Sequence, residues 1–155
     1  MSQNAPQASP QATNTLIWLA LTFAPTLYVF IAFVLRPGTA PALTAPDFSN
    51  ALELGLTIAA LAAAFAGFFA PRAVAAGIRR ARGDSWSPTD DDMARAAQIP
   101  LVIQYALFES IAVYGFVMVL AGGPASRIIP FAAVSFALLM LHRPTPERVS
   151  GLFAD

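Results

Sequence analysis

Apolar side chains dominate four stretches of the chain, and short polar or proline-rich segments separate them. An apolar helix of about 20 residues can cross the hydrocarbon core of a bilayer, because every backbone amide finds its partner inside the segment. The first stretch, 15–35 (TLIWLALTFAPTLYVFIAFVL), follows Asn14, a residue suited to an N-cap, and stops at Arg36, Pro37 and Gly38. The second, 54–78, lies inside a longer helical segment that Pro46 and Asp47 open and Arg79, Arg80, Ala81 and Arg82 close. The third, 99–121, ends at Gly122, Gly123 and Pro124. Its helix is expected to begin earlier, since Ser87, Pro88, Thr89 and Asp90 supply an N-cap hydroxyl, a proline at the first helical position and a carboxylate three residues on. The fourth, 126–142, has only 17 residues before Pro144. The pattern predicts an all-α membrane protein, a four-transmembrane-helix bundle formed by one domain over 14–142. A C-terminal tail, 143–155, follows it.

The first 13 residues (MSQNAPQASPQAT) carry no basic side chain and read as a disordered N-terminal tail rather than the charged start of a signal peptide. The first span is therefore expected to stay in the mature protein.

Composition supports the membrane reading. Of 155 residues, 57% are hydrophobic and 12% charged, whereas soluble domains carry about 25% charged residues. No cysteine is present, which excludes disulfides, thiolate metal sites, iron–sulfur clusters and a cysteine nucleophile. A single histidine excludes a metal cage made of histidines within one chain. Nine arginines and no lysine balance nine acidic residues, so no net field draws the chain to nucleic acid. Gly-rich phosphate loops, nucleophile elbows and metalloprotease motifs are absent from the sequence. The expected partners are the lipid bilayer and other membrane subunits or copies of the chain itself; no cofactor or metal is expected.

Arginine placement sets an expected orientation through the positive-inside bias. Arg79, Arg80, Arg82 and Arg95 lie between the second and third spans, and Arg143 and Arg148 follow the fourth. Only Arg36 and Arg127 fall on the other side, which puts both termini and the 79–98 loop in the cytoplasm. Trp18 and Trp86 suit interfacial anchors at that face, and Arg72 can snorkel toward it.

Glu109 is the costly residue. It lies ten residues from the start of the third span and twelve from its end. Keeping a glutamate neutral at pH 7 costs about 3.7 kcal/mol. The twelve Leu, Ile, Val and Phe of the span return roughly 4 to 7 kcal/mol of insertion energy. The helix tolerates the acid, and insertion gives no reason for it. The acid is expected to be protonated at rest and to release its proton when wetted. Tyr105 lies one turn before it on the same face. Ser110 and Tyr114 lie about 100° and 140° round the helix, still within reach of an ion held between packed helices. The alternative is a protonated acid acting as an interhelical clamp. In the second span, Gly55, Ala59, Ala63 and Gly67 recur every four residues and permit close backbone approach, with Ala62, Ala66 and Ala70 in a parallel row and Phe65, Phe68 and Phe69 mostly opposite.

The central region, residues 51–121, resembles the hairpin of subunit c, the proteolipid of rotary ATP synthases and vacuolar-type ATPases. Residues 59–82 (AALAAAFAGFFAPRAVAAGIRRAR) are similar to its first helix and basic loop, and FESIAVYGFVMVL carries the likeness in the second. The resemblance implies that Glu109 is the ion-binding acid, with Ser110 as the adjacent hydroxyl and Tyr114 as the tyrosine of sodium-binding members. Ala, Gly and Phe over 66–69 replace the glutamine of those members, so the resemblance implies protons as the ion. It implies a non-catalytic subunit of an ion-translocating complex. A structural or assembly subunit is the alternative. Elsewhere, Pro25 frees the carbonyl of Leu21 beside Thr22 and Thr26. His142 suits the interface, and Asp90, Asp91 and Asp92 suit a helix N-terminus.

Overall fold

A computed structural model describes residues 9–35, 46–83 and 89–153. The described residues are almost wholly helical. In chain order they form α1 (Pro10–Leu35), α2 (Pro46–Arg82), α3 (Asp90–Leu120), a 3₁₀ turn (Ala125–Arg127), α4 (Ile128–Leu141) and α5 (Pro146–Gly151). Residues 36–38 and 86–88, which the sequence suggests as stops, anchors and caps, lie outside the described residues.

Several boundaries differ from the sequence pattern, each for a local reason. Helix α1 starts at Pro10, so residues 10–13 are helical rather than part of a tail. The Ser9 hydroxyl accepts from the Ala12 amide and caps that first turn. Asn14 is therefore not a cap; it is buried, and its Nδ2 donates to the carbonyl of Ala94 at 3.0 Å. The cap of α3 is Thr89, two residues after the expected Ser87. Its hydroxyl accepts from the Asp92 amide while the Asp92 side chain accepts from the Thr89 amide, a reciprocal capping box. The Thr89 hydroxyl also donates to the Asp92 carboxylate at 2.8 Å, and this bond, with that from the Thr89 amide, holds the carboxyl below the usual carboxylate range. The C-terminal tail contains α5, capped by Thr145.

Helix α3 is the axis of the molecule. It buries thirteen residues where α1 buries four. Helix α2 packs on α3, while α1 and α4 pack on α3 and on each other. The buried positions of α1 (Asn14, Thr22, Pro25, Ala32), with half-buried Trp18, Leu21, Tyr28 and Val29 between them, repeat about every half-heptad and trace one stripe. On α2 the contact face runs through Ala60, Ala63 and Gly67 to Pro71 and Ala75. At Gly67 the Phe108 ring occupies the space of a Cβ, with its Cδ1 at 2.8 Å, and at Gly115 the Cβ of Phe131 does so at 2.7 Å. These two glycines let α2 and α4 close on α3. Of the small-residue stripe, Ala63 and Gly67 are buried, Ala59 is half-buried, and Gly55 is exposed with nothing within 4 Å of its missing Cβ. A four-residue repeat turns by about 40° at each step, so Gly55 has rotated off the face that Gly67 occupies.

The outward faces are apolar. Phe23 is 68% exposed, Phe65 67% and Leu141 71%. Side chains of this kind ring the described helices, more than a water-soluble monomer presents to solvent. Helices α1, α2 and α3 are each long and apolar enough to cross a bilayer, and the chain is a multi-pass membrane protein. The apolar segment Ala125–Leu141 is shorter. At 1.5 Å per residue its 17 positions extend about 26 Å, slightly less than a hydrocarbon core of about 30 Å.

Candidate functional site

Glu109 lies midway along α3, half-buried on the side that faces α1. Its Oε1 accepts a hydrogen bond from the Tyr28 hydroxyl at 2.5 Å. The phenol is held from both sides. Its ring stacks on Phe116 with centroids 5.7 Å apart and planes 23° apart, and it packs against the cluster of Ala32, Ala112, Val119, Ile128 and Ala132. Helices α1 and α3 run parallel, as the Asn14–Ala94 and Tyr28–Glu109 bonds both require. Pro25, buried one turn before Tyr28, removes one amide from the α1 ladder. Thr22, three residues before Pro25, is buried with its hydroxyl unpartnered, while Thr26 is exposed.

The three residues expected to tune the acid lie elsewhere. Tyr105 is fully buried among Ala97, Leu101, Leu139 and Val149, and its hydroxyl has no hydrogen-bond partner. Long side chains on a helix lean toward its N-terminus, which carries the Tyr105 hydroxyl away from Glu109 toward α5. Ser110 donates to the carbonyl of Leu107 in its own helix at 2.7 Å. Tyr114 packs on the α2 side, against Ala60, Ala63 and Ile111. Among the described residues none of the three hydrogen-bonds to Glu109. The partner that the sequence reading missed is Tyr28. Its signal was available: in parallel first and third spans, the fourteenth residue of one and the eleventh of the other fall at similar depth.

Two more polar ties cross the bundle. Gln104 Nε2 donates to the Gly67 carbonyl at 3.0 Å, and Trp18 Nε1 donates to that of Leu139 at 2.7 Å. At the far end of the bundle Arg127 pairs with Glu53, linking the turn before α4 to the start of α2. Near the termini, His142 packs edge-on to Phe108 (4.9 Å) and Phe68 (5.2 Å). Among the described residues no group of three His, Asp or Glu stands close enough to hold a metal.

A half-buried carboxyl with a single phenolic donor has a definite chemistry. No cation offsets its charge among the described residues. The phenol can donate to it in either protonation state, so proton exchange leaves the tie to α1 in place.

No protein-family model, curated protein or solved structure matches the chain.

Proposed function

We propose that this chain is a proton-binding subunit of an ion-translocating membrane complex, a four-span protein resembling subunit c. In this reading both termini and the 79–98 loop are cytoplasmic, and α4 is the fourth span. Glu109 takes up and releases the proton. The observation that carries the proposal is the Glu109 environment: a mid-span acid, partly accessible, tied to a neutral phenol and not to an arginine. An ion pair would fix the acid in its charged form, whereas a phenol leaves both forms open. The acid also borders the uncovered side of α3, where Val102, Ala106, Val117 and Leu120 are exposed. A second copy or an unlike subunit can meet it there.

The test is reaction with a hydrophobic carbodiimide, which modifies protonated carboxyls within membranes. Glu109 is labelled, labelling falls as pH rises, and Glu109→Gln is unlabelled while its complex still assembles but carries no proton flux. Labelling that ignores pH, or proton flux undiminished in Glu109→Gln, rejects the proposal.

The structural reading also has an observation in its favour. The Tyr28–Glu109 bond joins α1 to α3 within one chain, as Asn14–Ala94 does. A glutamine keeps the acceptor oxygen, so on that reading Glu109→Gln is silent in flux as well as in assembly.

A further inference from the structure

Two hydroxyls lie sealed between α1 and α4 with no partner in the protein. Thr22 on α1 is 4% exposed and Ser135 on α4 is fully buried, and neither Thr22 Oγ1 nor Ser135 Oγ makes a hydrogen bond. A serine or threonine in a helix commonly turns its hydroxyl back onto a carbonyl three or four residues earlier. Thr15, Thr57, Ser110 and Ser150 all do so here. Thr22 and Ser135 make no such bond, so both hydroxyls are left to a group outside their own helix.

Contacts on either side place the two at one level. Helices α1 and α4 are antiparallel: Trp18 Nε1 donates to the Leu139 carbonyl at 2.7 Å, and further along α1 Ala32 packs in one cluster with Ile128 and Ala132. From the first tie, Thr22 and Ser135 each lie four residues toward the second, about 6 Å along either axis. Both belong to the buried stripes that form the seam, Thr22 with Pro25 and Ala32, Ser135 with Ala132 and Leu139. A third oxygen joins them. Pro25 has no amide to give the Leu21 carbonyl, and Leu21 packs against the cluster that contains Leu139.

We propose that Thr22, Ser135 and the Leu21 carbonyl together bind one internal water molecule between α1 and α4. A buried polar group that lacks a protein partner is ordinarily met by an ordered water, which needs two to four polar neighbours. This water donates to the Leu21 carbonyl and to one hydroxyl and accepts from the other, so all three oxygens are satisfied. A cation does not suit the site: its oxygens are neutral, and Glu109 is held at Tyr28, six residues or about 9 Å along α1 from Thr22. A buried charge with nothing to offset it keeps its full desolvation cost. The water fastens the proline-interrupted turn of α1 to α4, one turn on from the Trp18–Leu139 bond. The inference is independent of the role proposed for Glu109.

The experiment is water-edited solid-state NMR of the full chain, carbon-labelled and held in phosphatidylcholine vesicles, which reads magnetisation passed from water to nearby carbons. In the parent chain Thr22 Cβ and Ser135 Cβ gain signal faster than Ala32 Cβ, which is fully buried in the same seam. Ser135→Ala removes one of the water's partners, and the fast gain at Thr22 is lost. Thr22→Ser keeps the hydroxyl and retains the gain at Ser135. Thr22 and Ser135 gaining no faster than Ala32, or a Thr22 gain unchanged in Ser135→Ala, overturns the site. Thermal unfolding in detergent supplies a second reading. Ser135→Ala lowers the midpoint, because Thr22 and the water each lose a partner. A raised midpoint, the result for a hydroxyl that nothing satisfies, also overturns the site.

Discussion

A glutamate in the middle of an apolar helix needs a partner, and here the partner is Tyr28, 81 residues earlier in the chain. A half-buried phenol packed against Phe116 and Ala112 can turn little, so the bond keeps its geometry whatever the acid's protonation state. Tyr28→Phe removes one donor and leaves the ring packing intact. The expected loss is about 1 kcal/mol of stability, read by thermal unfolding in detergent, together with faster carbodiimide modification of a carboxyl freed from its donor. An unchanged modification rate would show that the phenol does not govern access to Glu109. The acid was legible from the sequence because its cost is set by depth alone. Its partner was not, because helical spacing within α3 points only to Tyr105, Ser110 and Tyr114, and each of these satisfies packing on a different side of the helix.

At the scale of the helices, small residues matter where a neighbouring ring fills the place of the missing Cβ. Gly67→Ala puts a methyl onto the Phe108 ring, and overpacking of this kind costs about 1 to 3 kcal/mol. Gly55→Ala meets open space and, in a helix interior, gains about 1 kcal/mol of helix propensity. Paired unfolding measurements on the two variants check the assignment of the α2 face, and equal effects would refute it. The sequence marks the stripe of small residues but not how much of it makes contact. The face follows the slow turn of the helix against α3, running through Ala60, Ala63 and Gly67, and leaves Gly55 behind. Caps were legible as a type: a hydroxyl followed by a carboxylate precedes α3, with Thr89 and Asp92 forming the box two residues later than the first candidate pair.

In the whole molecule, α3 touches every other described helix and carries the acid on the side shared with α1. The apolar pattern made the helical, membrane-spanning class legible, since outward side chains such as Phe23 and Phe65 have no other stable surroundings. It left the order of packing undetermined: alternating apolar spans look alike along the chain, and the central place of α3 depends on Gly67 and Gly115 admitting Phe108 and Phe131. That arrangement ties Glu109 to one fixed phenol at its buried edge and leaves its other edge beside an uncovered strip of α3. Proton exchange at this acid is what the proposed function requires. The most direct measurement is difference infrared spectroscopy of the protein in lipid vesicles across a pH titration, comparing wild type with Glu109→Gln. The expected result is a protonated-carboxyl C=O band that is absent from the variant and gives way to carboxylate absorption as pH rises. A band that stays constant at every pH, or one that persists in Glu109→Gln, would contradict it.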